Sequence, residues 1–262
     1  MGALDYGVCR LAVVPVRSEY RELSEQVTQL LFGDHYEVMS YSPDSKWGRI
    51  RIYADQCEGW LELKQHHPIS NEYFNQINHT DYKITTDIAS PVLYRKLPLT
   101  IVMGSVVPIS NAELFKIGEQ FAFNGEAKSL GQRRDFDFIK TIACKYVPSP
   151  YQWGGKSPFG IDAAALVQMV FKISGYLLQR KSNQQCLQGK KVKTVADSLP
   201  GDVAFFAGKG DEVDHVGIIL EDKSIIHSFG QVRIDRLTEE GIVNSDTKGC
   251  SHVLHTIRRI LS

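Results

Sequence analysis

FGIDAAALVQ, residues 159–168, sets a loop of glycine and aromatic residues against the start of a helix. Ahead of it lies YQWGGKSPFG (151–160), and the apolar run AAALVQMVFKI (163–173) reads as a buried helix. Asp162 stands at the junction, where it can serve as the helix N-cap. Such a junction gathers backbone N–H groups and the positive end of a helix dipole, so it favours an anion. A nucleophile would sit here. Instead Asp162 is followed by Ala163, Ala164 and Ala165, and alanine has no group with which to attack.

Outward from this junction the chain predicts an α+β layout. Before it, RRDFDFIKTIACKYV (133–147) has apolar residues at Phe138, Ile139, Ile142, Ala143 and Tyr146, a helical spacing. After it come short strands: GDVAFFAG (201–208), DHVGIILED (214–222), SIIHSFG (224–230) and HVLHTIRRI (252–260). Helices first and antiparallel strands afterwards define the class.

Two histidines lie in these strands, His215 and His227. In an antiparallel hairpin, residues share a face when their paired numbers have an even sum. A three-residue loop, Glu221 to Lys223, pairs Leu220 with Ser224 and so places His227 opposite Gly217. His215 is then one same-face step away, roughly 7 Å at Cα. That step allows one imidazole to act and the other to orient it. A strand histidine is more often a hydrogen-bonded structural residue, and zinc is a further option for a pair. No third ligand stands at a telling spacing, so neither a metal nor a cofactor is expected.

The first 65 residues read as short strands: CRLAVVPVR (9–17), VTQLLFGDHYEVM (27–39), WGRIRIY (47–53) and GWLELKQ (59–65). Breaks fall at SEY, FGD, SPDSK and ADQCEG, a pattern that suggests a small barrel. From 66 to 130, HHPISNEYFNQINHTDYKITTD (66–87) reads as a helix or linker. PVLYRKLPLTIVMGSVVPIS (91–110) and ELFKIGEQFAFNG (113–125) read as strands of a second SH3-like β unit. The expected domains are therefore 1–65, 66–130 and 131–262.

Composition closes off several functions. Thirty basic residues balance thirty acidic ones, so no net field draws in nucleic acid or an anionic membrane. No apolar run approaches the roughly 18 residues that span a bilayer. MGALDYGVCRLAVVPVRSE shows no signal-peptide pattern, which leads us to expect a cytoplasmic protein. Five cysteines without CxxC spacing argue against a disulfide framework or a zinc knuckle.

Together, Tyr151-Gln152-Trp153-Gly154-Gly155, Gly160-Ile161-Asp162, Gly201-Asp202-Val203-Ala204-Phe205-Phe206, His215-Val216-Gly217 and Ile226-His227 resemble the NlpC/P60 family of bacterial cell-wall peptidases. The resemblance covers residues 131–262 and implies a papain-like fold with an antiparallel sheet. Cys57-Glu58-Gly59-Trp60-Leu61 resembles the end of a bacterial SH3 (SH3b) domain, where the Trp fills the barrel. This combination is similar to the γ-D-glutamyl-L-diamino-acid endopeptidases. The resemblance implies a murein peptide such as L-Ala-γ-D-Glu-diaminopimelate as substrate. It implies His215 as base and His227 as its orienting partner. Asp162 would take the free α-amine of the first alanine, Tyr151 and Trp153 would wall the site, and Ser182 would hydrogen-bond the substrate. Glu58 or Glu22 of the first domain would assist Asp162.

The departure from the family is equally specific. The nucleophilic Cys falls on Ala163 and the family's Ser falls on Ala164, while Cys57 stands where relatives often carry a pocket-closing Tyr. Cysteine endopeptidase chemistry is therefore expected to be absent from this chain. Two altered positions, where one would suffice, favour loss in evolution over a deliberate exchange. The sequence thus supports a peptidase scaffold that is inactive as written, or a pseudoenzyme that binds a murein peptide or a protein partner. The Tyr-x-Trp-Gly-Gly loop and the leading SH3b-like unit speak against a CHAP or LRAT-like protein.

Overall fold

A computed structural model describes residues 3–109, 115–116, 121–208 and 212–261. Of the expected strand ELFKIGEQFAFNG, residues 113–114 and 117–120 lie outside the described residues. The chain forms two compact units, one of residues 1–132 with 153–158 and one of residues 133–152 with 159–262.

The first unit opens with a small β-barrel-like sheet of seven strands. Their order is Gln26–Leu31, Val13–Arg17, Glu58–Glu62, Trp47–Ile52, His35–Tyr41, Asp5–Val8 and Pro68–Ile69. Alternation sends Val14, Val16, Leu30, Tyr36, Val38, Ile50, Ile52 and Leu61 into one core. The sequence led us to expect Trp60 in that core. Leu61 fills it instead, and half-buried Trp60 meets Tyr20 edge-on at 5.1 Å. The reason is parity: Gly59 and Leu61 share the inward face, so Trp60 must point the other way. Gly59 is required there, since a Cβ would stand 2.5 Å from Val16 Cγ1 and 2.8 Å from the Arg17 carbonyl oxygen.

The rest of this unit contains the helix Asn71–His79, N-capped by the Ser70 hydroxyl, a four-stranded sheet and a three-stranded sheet. Val92, Ile101, Val107, Ile109 and Phe121 form their core together with Phe32, which follows the strand Gln26–Leu31. Residues 153–158 belong to the same unit. The Trp153 indole N–H donates to Glu25 at 2.6 Å, and the Lys156 N–H donates to the Gln29 side chain at 2.8 Å.

The second unit has the papain-like α+β layout. Helices Phe136–Lys145 and Ala163–Ile173 start from aspartate N-caps, Asp135 and Asp162, each accepting from the N–H three residues on. Asp162 accepts from Ala165 at 2.7 Å. The sheet runs Lys190–Val192, Cys250–Arg259, Val203–Ala207, Val213–Ile219, Ser224–Phe229, Gln231–Leu237 and Gly241–Val243. Its last strand also pairs with Cys250–Arg259, which closes six of the strands into a ring. Phe206, Ile219, Ile225, Leu237, Ile242 and Ile257 fill the interior. The Ala163–Ile173 helix, buried almost all round, packs across the two histidine-bearing strands. Among the described residues no helix is long and apolar enough to cross a membrane.

Candidate functional site

Leu220 N–H donates to the Ser224 carbonyl, and Gly217 opposes His227, the register that loop length and parity predict. Register then carries the same face around the ring. Phe206 opposes both His215 and Leu254, Ile225 opposes Asp235, and Ile242 opposes His252. His215, His227, Asp235 and His252 therefore point the same way as the apolar interior, one step further along their strands.

These side chains form a directed relay. His227 Nε2 lies 3.0 Å from Asp235 Oδ2, and His227 Nδ1 lies 2.8 Å from His215 Nε2. Asp235 can only accept, so His227 Nε2 carries the proton and donates it. Neutral His227 then presents a lone pair at Nδ1, which accepts from His215 Nε2–H. The consequence is a lone pair on His215 Nδ1, the form a general base needs. Burial holds both rings neutral: it drives His215 well below the usual histidine range, helped by His252 and His227. Burial also lowers His227 to about 4, against the opposing pull of Asp235. Asp235 is itself buried, which alone would raise its pKa. The Ser245 hydroxyl and N–H, with His227 and Arg233, hold it down at about 2.

The approach to the alanine helix is tied to the His227 strand, and the short helix Ser182–Gln185 to the His215 strand. Ser228, next to His227, donates its hydroxyl to the Ile161 carbonyl at 2.8 Å. Ser182 donates to the carbonyl of Val213, two residues before His215, at 3.0 Å. Ala163 is buried at the first helical position and Ala164 is half-buried beside it. Two cysteines of this unit flank the junction in sequence. Cys144 is exposed on its own helix, and Cys186 donates to the Asn183 carbonyl.

Asp162 has a partner that the sequence did not announce. Arg180 Nη1 donates to its Oδ1 at 3.1 Å and Arg180 Nη2 to its Oδ2 at 2.5 Å, with both side chains largely buried. Gln185, fully buried, donates to the carbonyls of Ala164 and Gln179, which braces the same corner. Tyr151 is part-exposed, and its N–H donates to the Gly230 carbonyl. Burial, then the Asp162 charge, pushes its phenol upward. Trp153 and Glu58 belong to the first unit. Glu58 accepts from Arg49 and from Arg51, each at 2.7 Å, and the Arg51 hydrogen bond lowers its carboxyl. Glu22 is exposed in a turn.

Sequence reading passed over Asp235, Arg180, Gln185 and His252. His252 stacks on His215 with ring centroids 3.9 Å apart. It is the third imidazole that spacing along the chain did not reveal.

The NlpC/P60 family profile matches residues 148–249, the span that holds the alanine helix start, His215, His227 and Asp235. The chain carries an NlpC/P60 domain. That family is one of cysteine peptidases. Among curated relatives, the chain is 28% identical over 225 residues to the gamma-D-glutamyl-L-lysine dipeptidyl-peptidase of Bacillus subtilis, covering 77% of this chain and 71% of that protein. It is 24% identical over 243 residues to dipeptidyl-peptidase 6 of Lysinibacillus sphaericus, covering 83% and 86%. The crystal structure of an NlpC/P60 family protein from Bacillus cereus superposes with a TM-score of 0.83 at 17% identity, over 98% of this chain and 100% of that one. That superposition extends the shared fold beyond the NlpC/P60 domain to the β-rich first unit.

Proposed function

We propose that this chain is a murein-peptide hydrolase scaffold of the γ-D-glutamyl-L-diamino-acid endopeptidase type, inactive as written because Ala163 replaces the nucleophilic thiol. The reading is supported by Ala163 at the head of an N-capped helix that packs on the strands bearing His215 and His227 of the ordered relay. The relay can accept a proton at His215 Nδ1, but no side chain at position 163 supplies one, so the covalent route has no first step. Relatives named for γ-D-glutamyl-L-lysine cleavage support the peptide class. The test uses L-Ala-γ-D-Glu-diaminopimelate in calorimetry and in mass-spectrometric product analysis. We expect stoichiometric binding without turnover. Cleavage above a buffer blank that a thiol alkylator abolishes would count against the reading, as would failure to bind.

A second reading, a pseudoenzyme that holds a different peptide or a protein partner, is favoured by one observation. Arg180 already occupies the Asp162 carboxylate that the family reading assigns to the peptide's α-amine. An N-acetylated tripeptide separates the two. Binding as tight as that of the free-amine peptide supports the second reading, and loss of binding supports the first.

A further inference from the structure

The relay accounts for His215, His227 and Asp235 but leaves His252 without a task. His252 sits half-buried on the strand Cys250–Arg259, its ring 19° from parallel with His215 and nearly perpendicular to His227. Nδ1 of His252 is engaged by the Ser251 hydroxyl at 3.0 Å, which leaves Nε2 to face other groups. One ring nitrogen from each of His215, His227 and His252 can be chosen so that all three lie within 4.8 Å of one another.

We infer that His215, His227 and His252 form a binding site for a single divalent transition-metal ion of the zinc class. Imidazole nitrogen is a preferred donor for zinc, copper and nickel, and three such donors with one open position suit tetrahedral zinc. With Zn–N near 2.1 Å, the donors of a tetrahedron stand about 3.4 Å apart. The His215–His227 pair, now 2.8 Å apart, must open slightly, and the stacked His215 and His252 rings must tilt out of parallel so that both in-plane lone pairs meet one ion. The protons balance without release. His227 keeps its proton on Nε2, toward Asp235, and binds through Nδ1, while His215 moves its proton from Nε2 to Nδ1 and binds through Nε2.

A second observation points the same way. Metal-bound histidines characteristically donate the other ring N–H to a carboxylate, which fixes tautomer and orientation. His227 does this to Asp235, and Asp235 is in turn held by the Ser245 N–H at 2.9 Å and by Arg233 Nη2 at 3.2 Å. The arrangement orients the His227 lone pair toward His215 before any ion arrives. Three imidazole donors leave the remaining position of a tetrahedral ion to water or a ligand.

The inference does not rest on peptide recognition, and its test needs no peptide. The full chain, stripped with chelator and desalted, is titrated with Zn²⁺ in calorimetry and with Co²⁺ followed by visible absorption. We expect one ion per chain and the intense bands of low-coordinate Co²⁺. His252→Phe keeps the stacked ring but removes the donor, and should weaken Zn²⁺ at least tenfold with an unchanged circular dichroism spectrum. Asp235→Asn should weaken it about 10–100-fold through the second shell. A folded chain that binds no ion, or one whose affinity is untouched by His252→Phe, overturns the site. The latter result would assign the ion to other histidines on the surface.

Discussion

Removing Arg180 should expose how much of the corner around the alanine helix depends on one ion pair. Arg180→Met preserves much of the aliphatic volume but leaves the Asp162 carboxylate without the guanidinium that now meets both its oxygens. The two side chains are only 5% and 12% exposed, so water cannot readily take the place of the lost partner. Breaking such a pair from one side costs about 3–5 kcal/mol, mostly as the penalty of the stranded charge. Asp162→Asn strands the guanidinium in the same way, while Asn keeps the N-cap role toward Ala165. Arg180→Met with Asp162→Asn removes both charges and should therefore cost less than the sum of the single changes by about 2 kcal/mol or more. Urea unfolding of the four proteins, followed by Trp fluorescence and circular dichroism, reads the cycle. Additive costs would mean that the pair is not coupled, and would refute the reasoning about this corner.

Stability should also fall as pH is lowered through the histidine window. The unfolded chain protonates His227 near 6.5, whereas the folded ring stays neutral down to about 4. The unfolded state thus holds more protons between these values, so stability is complete above 6.5 and declines toward 4. From pH 7.5 to 5.0 the loss from His227 alone is about 2 kcal/mol, and His215 adds to it in the same direction. Urea midpoints measured in chelator should show the decline in the parent, and His227→Gln should flatten it; an unchanged slope in the variant would count against a neutral buried ring. Gly59→Ala should cost about 1–3 kcal/mol because its Cβ meets Val16 and the Arg17 carbonyl, and a midpoint equal to the parent's would show that the barrel yields there.

The parts of the site that could be read from sequence are those fixed by local rules. Asp162 as N-cap follows from a polar residue ahead of an apolar run, and the His215–His227 register follows from a three-residue turn and strand parity. The hidden parts depend on pairing between strands far apart in the chain. His252 reaches His215 because the strand Cys250–Arg259 pairs with Val203–Ala207, which sets Leu254 and His215 both opposite Phe206, and nothing in HVLHTIRRI announces that pairing. Asp235 is one of several acidic residues in its neighbourhood, and only the pairing of Ile225 with Asp235 turns it toward His227. Arg180 resembles an ordinary surface cation until the fold folds its guanidinium onto Asp162. Trp60 shows the opposite error, because a family habit was followed where the alternation of Gly59, Trp60 and Leu61 already placed the indole outside.

The proposed function takes His215 as a base and position 163 as the place of a lost nucleophile. Ala163→Cys tests it most directly, with the iodoacetamide labelling rate of the new thiol followed across pH by peptide mass spectrometry. A helix N-terminus and a neighbouring imidazole both lower a thiol's pKa, so we expect labelling at 163 to be much faster near neutral pH than at the exposed Cys144, and His215→Ala to slow it. Labelling at 163 no faster than at Cys144, or unaffected by His215→Ala, would show that His215 does not act as a base on position 163.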